Sequence, residues 1–351
     1  MNASIKLILI DYYNMNDVLQ NIKEIMHKAR YELVQTVNTT LVKVYWKIGK
    51  TIVEDEQNHL DRAEYGTALI KELSKELTKE FGKGFSRSNL QNMRKLFLTY
   101  PKSQTLSGKL SWSHYCELLS VNDENKRSFY EKECINSKWS VRELKRQINT
   151  SLYERLLLTK GNHNKEKVLD LALKGNEIIC PEDIIKDPYV FEFLGISENK
   201  PILESDFEKA LVKHIEKFLL ELGKGFMYVG SQQRVTLGNT HYYVDLVFYN
   251  KILRSYVLIE LKTGKLMPEA VGQLNMYLNY YNNEIIDEYD QAPIGIILCA
   301  DKDQIQAEYA LGNLSNQIFA SKYTLYIPNK TELEDEVEKV IKALQVEEYD
   351  I

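Results

Sequence analysis

The chain has 351 residues, 44% apolar and 27% charged, so it can bury substantial cores and its length suggests about two domains. Its net charge of −5 conceals an asymmetry, because residues 1–150 carry 24 Lys and Arg against 18 Asp and Glu, whereas residues 151–351 carry 21 against 32. Cysteines 116, 134, 180 and 299 lack metal-ligand or disulfide spacing, the apolar run Ile5 to Ile10 is too short to span a membrane, and no glycine-rich phosphate loop occurs, which argues against a zinc or disulfide framework, a membrane anchor and P-loop nucleotide hydrolysis and makes the cytoplasm the default location.

From Asn16 to Lys50, apolar residues at helical spacing (Val18, Ile22, Ile25, Leu33, Val37, Leu41, Val44, Ile48) predict one long helix or a break near Thr39 and Thr40. A second helix is expected from about Thr67 to Phe81. Gly82-Lys-Gly84 then ends it, and Ser86 is placed to cap a helix from Arg87 to Thr99 that carries Arg87, Arg94 and Lys95. A turn followed by a basic helix is the pattern of a helix-turn-helix reader. Residues 81–155 hold 14 basic against 7 acidic side chains, enough for a phosphate-binding face if they cluster. Leu110-Ser-Trp-Ser-His-Tyr115 opens a further helix, in which His114 reads as packed or hydrogen-bonded and not as a catalyst. Trp139-Ser-Val-Arg142 starts another capped basic helix with Lys145 and Arg146. Arg87, Arg94, Lys95, Arg142, Lys145 and Arg146 are thus the candidate nucleic-acid contacts, with an ordinary solvated face as the competing reading. Residues 1–158 are expected to form a mainly helical domain that binds DNA or a protein partner.

Residues 159–202 read as a linker and docking segment: Thr159 to Asn164 is polar, and Asp187-Pro-Tyr-Val-Phe191 is suited to pack on the module C-terminal to it. From Glu204 to Leu222 a single helix is expected. Its apolar stripe holds Leu211, Ile215, Phe218, Leu219 and Leu222, and Glu208 falls about 20° from the Ile215 direction, so its carboxylate points inward. Glu216, Lys217 and Glu221 lie off the stripe and read as solvent-facing charge.

Two apolar runs come next, His241 to Tyr249 and Tyr256 to Lys262, joined by a polar turn from Asn250 to Ser255, which makes a hairpin. Alternation puts Glu260 and Lys262 on the face of Leu258, and Asp245 on that of Tyr243 and Val247. If these faces pair, two carboxylates and an ammonium converge. Two carboxylates roughly 4 Å apart repel by about 4 kcal/mol at an effective dielectric near 20, a conflict that a hard cation removes. Oxygen ligands favour Mg²⁺ or Mn²⁺ over zinc. Lys262 would hold or deprotonate an attacking water and offset charge developing on phosphorus. A lone Glu-x-Lys on a strand is commonly an exposed ion pair, but the run around Glu260 has almost no other polar residue, so the charge is expected to be buried and to need a partner.

After a turn at Thr263 to Met267, a helix from Glu269 to Tyr281 carries Gln273 at the edge of its stripe and Tyr277 one turn later. Both are placed to reach over the carboxylate patch, Gln273 to orient a water or phosphate and Tyr277 to meet nucleic acid. Pro293 to Cys299 reads as another buried strand. The order helix, three strands, helix, strand makes residues 203–330 a compact α/β module. Residues 331–351 form an acidic C-terminal helix or tail, in which Glu332 to Glu338 reads as a solvated helix.

At these positions the chain resembles the PD-(D/E)XK nuclease superfamily and, more narrowly, the YhcG-like family. The resemblance rests on Glu208, the Asp245 strand, Glu260-Leu-Lys262, Gly272-Gln273-Leu-Asn-Met-Tyr277 and Leu219-Leu-Glu-Leu-Gly-Lys-Gly-Phe226. In the N-terminal half it rests on Phe81-Gly-Lys-Gly-Phe-Ser86, Leu110 to Tyr115 and Trp139 to Arg142, so it covers about Tyr12 to Pro328. It implies an α+β multi-domain protein, with a helical N-terminal domain followed by a restriction-endonuclease-like α/β domain whose mixed central sheet is flanked by helices. It also implies that Asp245 and Glu260 hold a divalent metal, that Glu208 completes the shell and that Lys262 assists the water. Val244 stands where the superfamily nominally has proline.

The expected function is Mg²⁺- or Mn²⁺-dependent hydrolysis of phosphodiester bonds in double-stranded DNA, with Glu208, Asp245, Glu260, Lys262 and Gln273 as the catalytic set. Double-strand cleavage would call for a homodimer. Two alternatives stand beside it: a non-cleaving or partner-dependent nucleic-acid-binding module on the same fold, and an RNA-cleaving nuclease.

Overall fold

The computed structural model describes residues 3–58, 65–159, 165–196, 202–301, 311, 317–335 and 337. The chain divides into two compact units, residues 1–127 and 128–351.

The first unit contains α1 (Ala3–Asn58), α2 (Tyr65–Phe81), α3 (Arg87–Thr99) and α4 (Trp112–Leu118). Helix α1 runs 56 residues without the break considered at Thr39 and Thr40. There the Thr39 hydroxyl donates to the carbonyls of Gln35 and Gly108, so the β-branched pair is absorbed without ending the helix. The core gathers Ile52, Ile70, Leu90 and Met93, with Tyr45, Ile48 and Trp112 packed against it. Where α1 crosses α3 the backbones approach so closely that a Cβ on Gly49 would land on the Met93 carbonyl. Ser86 caps α3 as its sequence position suggested, accepting from the Asn89 N–H at 3.3 Å. His114 is spent on Ser111, with Nδ1 2.7 Å from the serine hydroxyl, in a capping arrangement that opens α4.

Helix α5 (Glu124–Ser137) spans the division between the units. The second unit continues with α6 (Val141–Asn149), α7 (Leu152–Thr159) and α8 (Lys165–Lys174), then β1 (Tyr189–Val190), α9 (Glu204–Lys213) and α10 (Ile215–Leu222). After these come β2 (Phe226–Leu237), β3 (Thr240–Asn250), β4 (Ser255–Lys265), α11 (Pro268–Glu284), β5 (Ile294–Asp301) and β6 (Gln317–Thr324). The sheet order is β1-β6-β5-β4-β3-β2, with β2 to β4 an antiparallel meander and β4, β5, β6 and β1 parallel. One face carries α9 and α10 through Phe207, Leu211, Phe218 and Ile259, and the other carries α11 through Leu258, Leu274, Tyr277 and Leu278. Burial on both faces is what the near-continuous apolar run of β4 required.

Several expectations change here. Thr263 to Lys265 extend β4 and do not turn. Asp187 to Phe191 does more than dock: Tyr189 and Val190 join the sheet edge beside Tyr323 and Thr324. Positions 160–164 of the expected linker lie outside the described residues, as does most of the C-terminal tail, of which residues 330–335 are helical with Leu333 buried.

The expected helix from Glu204 to Leu222 is two helices, broken at His214 (φ −112°, ψ 33°). Glu221, read as solvent-facing, is fully buried. Its carboxylate meets Arg155 Nη1 at 2.5 Å, Arg146 Nη1 at 3.1 Å and the Val190 N–H at 3.0 Å, while Lys186 donates to its carbonyl. Burial pushes the Glu221 carboxyl up, but Arg155, Lys186 and Arg146 outweigh that and hold it at about 2. A helical wheel identifies the face turned to apolar neighbours. It does not reveal that α6 and α7 bring guanidinium groups to another face of α10.

Candidate active site

The site arises where the sheet forks. Pairing between β3 and β4 runs from Asn250 opposite Ser255 to Leu246 opposite Ile259 and stops there. Beyond that point β3 pairs with β2 and β4 with β5. One step further along the same register, Asp245 and Glu260 stand on the two prongs. Ser231 pairs with Leu246 and Gln233 with Val244, so Gln232 stands opposite Asp245 on the outer strand.

A fork strands backbone donors that must find acceptors. The Leu261 N–H donates to Asp245 Oδ2 at 2.8 Å, which fixes that carboxylate against β4. Asp245 Oδ1 accepts from Gln232 Nε2 at 3.2 Å, and the same nitrogen donates to Glu208 Oε2 at 2.7 Å. Glu208 on α9 therefore faces inward, as the helical spacing predicted, but it reaches Asp245 through an amide. Gln232 holds a left-handed backbone (φ 49°), uncommon for a side-chain-bearing residue.

Glu260 is 2% exposed. Its Oε1 accepts from Lys262 Nζ at 3.1 Å, while Oε2 has no hydrogen-bond partner among the described residues. Lys262 Nζ also lies 3.2 Å from Glu204 Oε2, and Glu204 Oε1 accepts from the Thr263 N–H at 3.3 Å. Gln273 Nε2 donates to the Tyr277 hydroxyl at 2.6 Å, which donates in turn to the Tyr243 carbonyl at 3.1 Å.

Electrostatics separate these groups. Burial and then the Asp245 charge push Glu260 up to about 7. Burial likewise raises Asp245 and Glu208, against hydrogen bonds that lower them. Lys262 is lowered by burial but raised on balance by Glu260 and Glu204, so it is a firmly protonated ammonium. A buried carboxylate with an orphan oxygen beside a second carboxylate is a donor set suited to a hard divalent cation, which needs only one or two protein carboxylates and completes its shell with water and phosphate. Among the described residues no three His, Cys, Asp or Glu side chains converge as a ready metal cluster.

Not every candidate belongs to this place. Tyr277 is fully buried in the core under α11, so it positions Gln273 and offers no surface to nucleic acid. Arg146 is committed to Glu192 at 2.8 Å and Glu221 at 3.1 Å, which removes it from the phosphate-contact set. Arg94 pairs with Glu56 at 2.6 Å, whereas Arg87 and Lys95 on α3 and Arg142 and Lys145 on α6 are exposed. Two participants escaped the sequence reading, Glu204 and Gln232. Glu204 carried a signal, since it lies four residues before Glu208 and so on the same helical face. Gln232 carried none, because its role depends on the register of β2.

Residues 182–338 match the YhcG PDDEXK nuclease domain and residues 21–155 the DUF1016 N-terminal domain. The chain is 38% identical over 353 residues to "Putative nuclease YhcG" of Escherichia coli (strain K12), covering 92% of this chain and 93% of that protein. The chain belongs to the YhcG family. Its family and fold class are those implied by the sequence resemblance: a helical N-terminal region, then a restriction-endonuclease-like mixed sheet with flanking helices. Membership makes it a nuclease-family protein, and PDDEXK nucleases generally use divalent metals. Among solved structures, a repair endonuclease from Pyrococcus abyssi is 17% identical with TM-score 0.24, and an EndoMS–dsDNA complex is 18% identical with TM-score 0.25. Each match covers 38% of this chain and about half of the other, a likeness too slight to carry anything over. Among the described residues no helix of this YhcG-family chain is long and apolar enough to cross a membrane.

Proposed function

We propose that the protein is an endonuclease that hydrolyses phosphodiester bonds in DNA with Mg²⁺ or Mn²⁺. The observation that carries this reading is the orphan Oε2 of Glu260, buried beside Asp245 and held at about 7. A protein that buries a carboxylate in this way needs a cation to keep it ionised. Asp245 and Glu260 would hold the metal, and Glu208 would support the shell through Gln232 or directly. A bound divalent cation supplies positive charge against the phosphate oxygens and acidifies a water.

The remaining roles fall to the chain itself. Lys262, kept protonated by two carboxylates, would donate to the attacking water or to a phosphate oxygen and offset charge as the pentacovalent centre forms. Its protonated state favours this over service as a base. Gln273, its amide oriented by the anchored Tyr277 hydroxyl, would position the water or phosphate. The exposed basic residues Arg87 and Lys95 on α3, and Arg142 and Lys145 on α6, would grip the backbone.

One observation favours a second reading, in which the protein binds nucleic acid and cuts only once substrate or a partner completes the site: no three ligating side chains converge among the described residues. Supercoiled plasmid and a matched RNA, each incubated with Mg²⁺, Mn²⁺ or EDTA beside the Lys262→Ala variant, separate the readings. Metal-dependent nicking of DNA that is lost in the variant is the expected result. Binding without cleavage under every metal condition would favour the second reading, and RNA cleavage alone would overturn the assignment of substrate.

A further inference from the structure

Helix α1 carries apolar residues on two separate faces. One face, with Val42, Gly49, Ile52 and Val53, is buried against the rest of the first unit. At 100° per residue, Leu19, Ile22, Met26, Ala29 and Leu33 point the other way, and so do Val37, Thr40 and Val44. All eight are exposed, and the six large ones among them between 44% and 65%. The two faces are centred about 155° apart at 100° per residue, and the elements packed on the first leave the second exposed.

Spacing identifies the kind of partner the second face fits. From Leu19 to Leu33 the steps are three, four, three and four residues, the a and d positions of a coiled coil. A single additional step of four, from Leu33 to Val37, inserts a stutter, after which three and four resume to Val44. No charged residue interrupts this seam. It extends roughly 38 Å at 1.5 Å per residue. With Val18, Ile25, Val34 and Leu41 along its borders, each side chain having on the order of 100 Å² to bury, the face approaches the ~800 Å² per partner of a standard interface. It is also far larger than a surface scattered with single apolar residues needs.

We infer that this face is a homodimer interface in which α1 of one protomer pairs with α1 of a second copy as a parallel two-helix coiled coil. Knobs-into-holes packing requires a partner with the same repeat, and a second copy supplies it along the full length. The position of the stutter and the flanking residues set the direction. Lys23 and Arg30 occupy e positions, whereas Val18 and Ile25 occupy g. A parallel, in-register pair sets the Leu33 to Val37 stutter of both helices at one level, whereas an antiparallel pair over the same seam would set it against the regular heptads at about residues 26–30. The parallel pair also sets e against g, where the aliphatic stems of Lys23 and Arg30 cover Val18 and Ile25.

The test uses the full-length chain. Light scattering coupled to size exclusion, over a tenfold range of micromolar concentrations, should give twice the 41.0 kDa chain mass. The double variant Ile22→Glu/Leu33→Glu should fall to one chain mass while still unfolding in a single cooperative transition, because these side chains lie away from the packed face. Its thermal midpoint should fall and lose any dependence on protein concentration, as expected of a chain no longer stabilised by association. Met26→Cys under mild oxidation should cross-link to a covalent dimer on a non-reducing gel, beyond any band given by the parent with its native cysteines. A monomeric parent, a dimer that survives the double variant, or failure of Met26→Cys to cross-link would each overturn the proposal, the last by removing the parallel register.

Discussion

Glu260 and Glu221 are both buried carboxylates of the second unit, and their surroundings treat charge in opposite ways. Glu221 is enclosed by Arg155, Arg146, Lys186 and the Val190 N–H, and its carboxyl is held at about 2 despite full burial. Glu260 has Lys262 on one oxygen, no hydrogen-bond partner among the described residues on the other, and a second carboxylate nearby, and it sits at about 7. A fold that only needed a buried ion pair would satisfy both oxygens, as it does for Glu221. Leaving one oxygen bare in a low-dielectric place costs stability, and such a cost persists where the group serves a ligand.

The largest effect expected from breaking this contrast is at Glu221. Changing Glu221 to Gln removes the buried carboxylate that Arg155, Arg146 and Lys186 share, which should cost about 3–5 kcal/mol. Urea unfolding should show a lowered midpoint. A loss within ±0.5 kcal/mol would mean that the guanidinium cluster finds another partner.

Lys262→Ala should act on rate and not on fold. Removing a donor aimed at developing phosphate charge typically costs about 10²–10³ in kcat, and Lys262→Arg should recover part of it only if charge matters more than shape. Single-turnover cleavage of plasmid checks this, with the unfolding midpoint measured alongside. A fall in midpoint matching the fall in rate would place Lys262 in the structural set with Arg155.

The pH dependence sharpens the comparison further, because burial and charge shift the two carboxyls in opposite directions. Glu221 has a folded value below its unfolded one, so its stabilisation is present above about pH 4.3 and lost as pH falls toward 2. Glu260 has a folded value raised to about 7, so in metal-free protein it favours folding while protonated, and stability declines as pH rises from about 4.3 through 7. The decline amounts to about 4 kcal/mol. Urea titrations in EDTA from pH 5 to 8 should show that slope in the parent and a flatter one in Glu260→Gln, and Mg²⁺ should restore stability in the parent alone. Equal slopes in both proteins would mean that Glu260 does not carry the strain attributed to it.

How much of this could be read from sequence depends on which physical rules are local. Asp245, Glu260 and Lys262 were legible because strand alternation has period two and a charge inside a continuous apolar run needs a reason. Glu208 was legible because one helical face was clearly apolar. Gln232 was not, since its role depends on a register across two strands and on a positive φ that no neighbouring residue announces. Glu221 and Arg146 were misread for a related cause. Each looks solvated on its own helix and becomes buried only because α6, α7 and α10 meet, a long-range fact absent from any window of either helix. The six-stranded order with its terminal β1 was out of reach for the same reason.

The smallest expected effect separates two arginines of a single helix. Arg142 and Arg146 lie four residues apart on α6, yet Arg142 is exposed whereas Arg146 binds Glu192 and Glu221. If the exposed face grips phosphate, Arg142→Ala should leave the unfolding midpoint alone and reduce the slope of log affinity against log salt by about 0.9, the release of one counterion from duplex DNA. Arg146→Ala should do the reverse, lowering stability while the salt slope of the remaining folded protein stays unchanged. Binding of a short duplex followed by fluorescence anisotropy over a range of about 50 to 200 mM salt reads both. An unchanged slope in Arg142→Ala would return α6 to the role of an ordinary solvated helix and leave Arg87 and Lys95 on α3 as the residues to vary next, with the same slope as the readout.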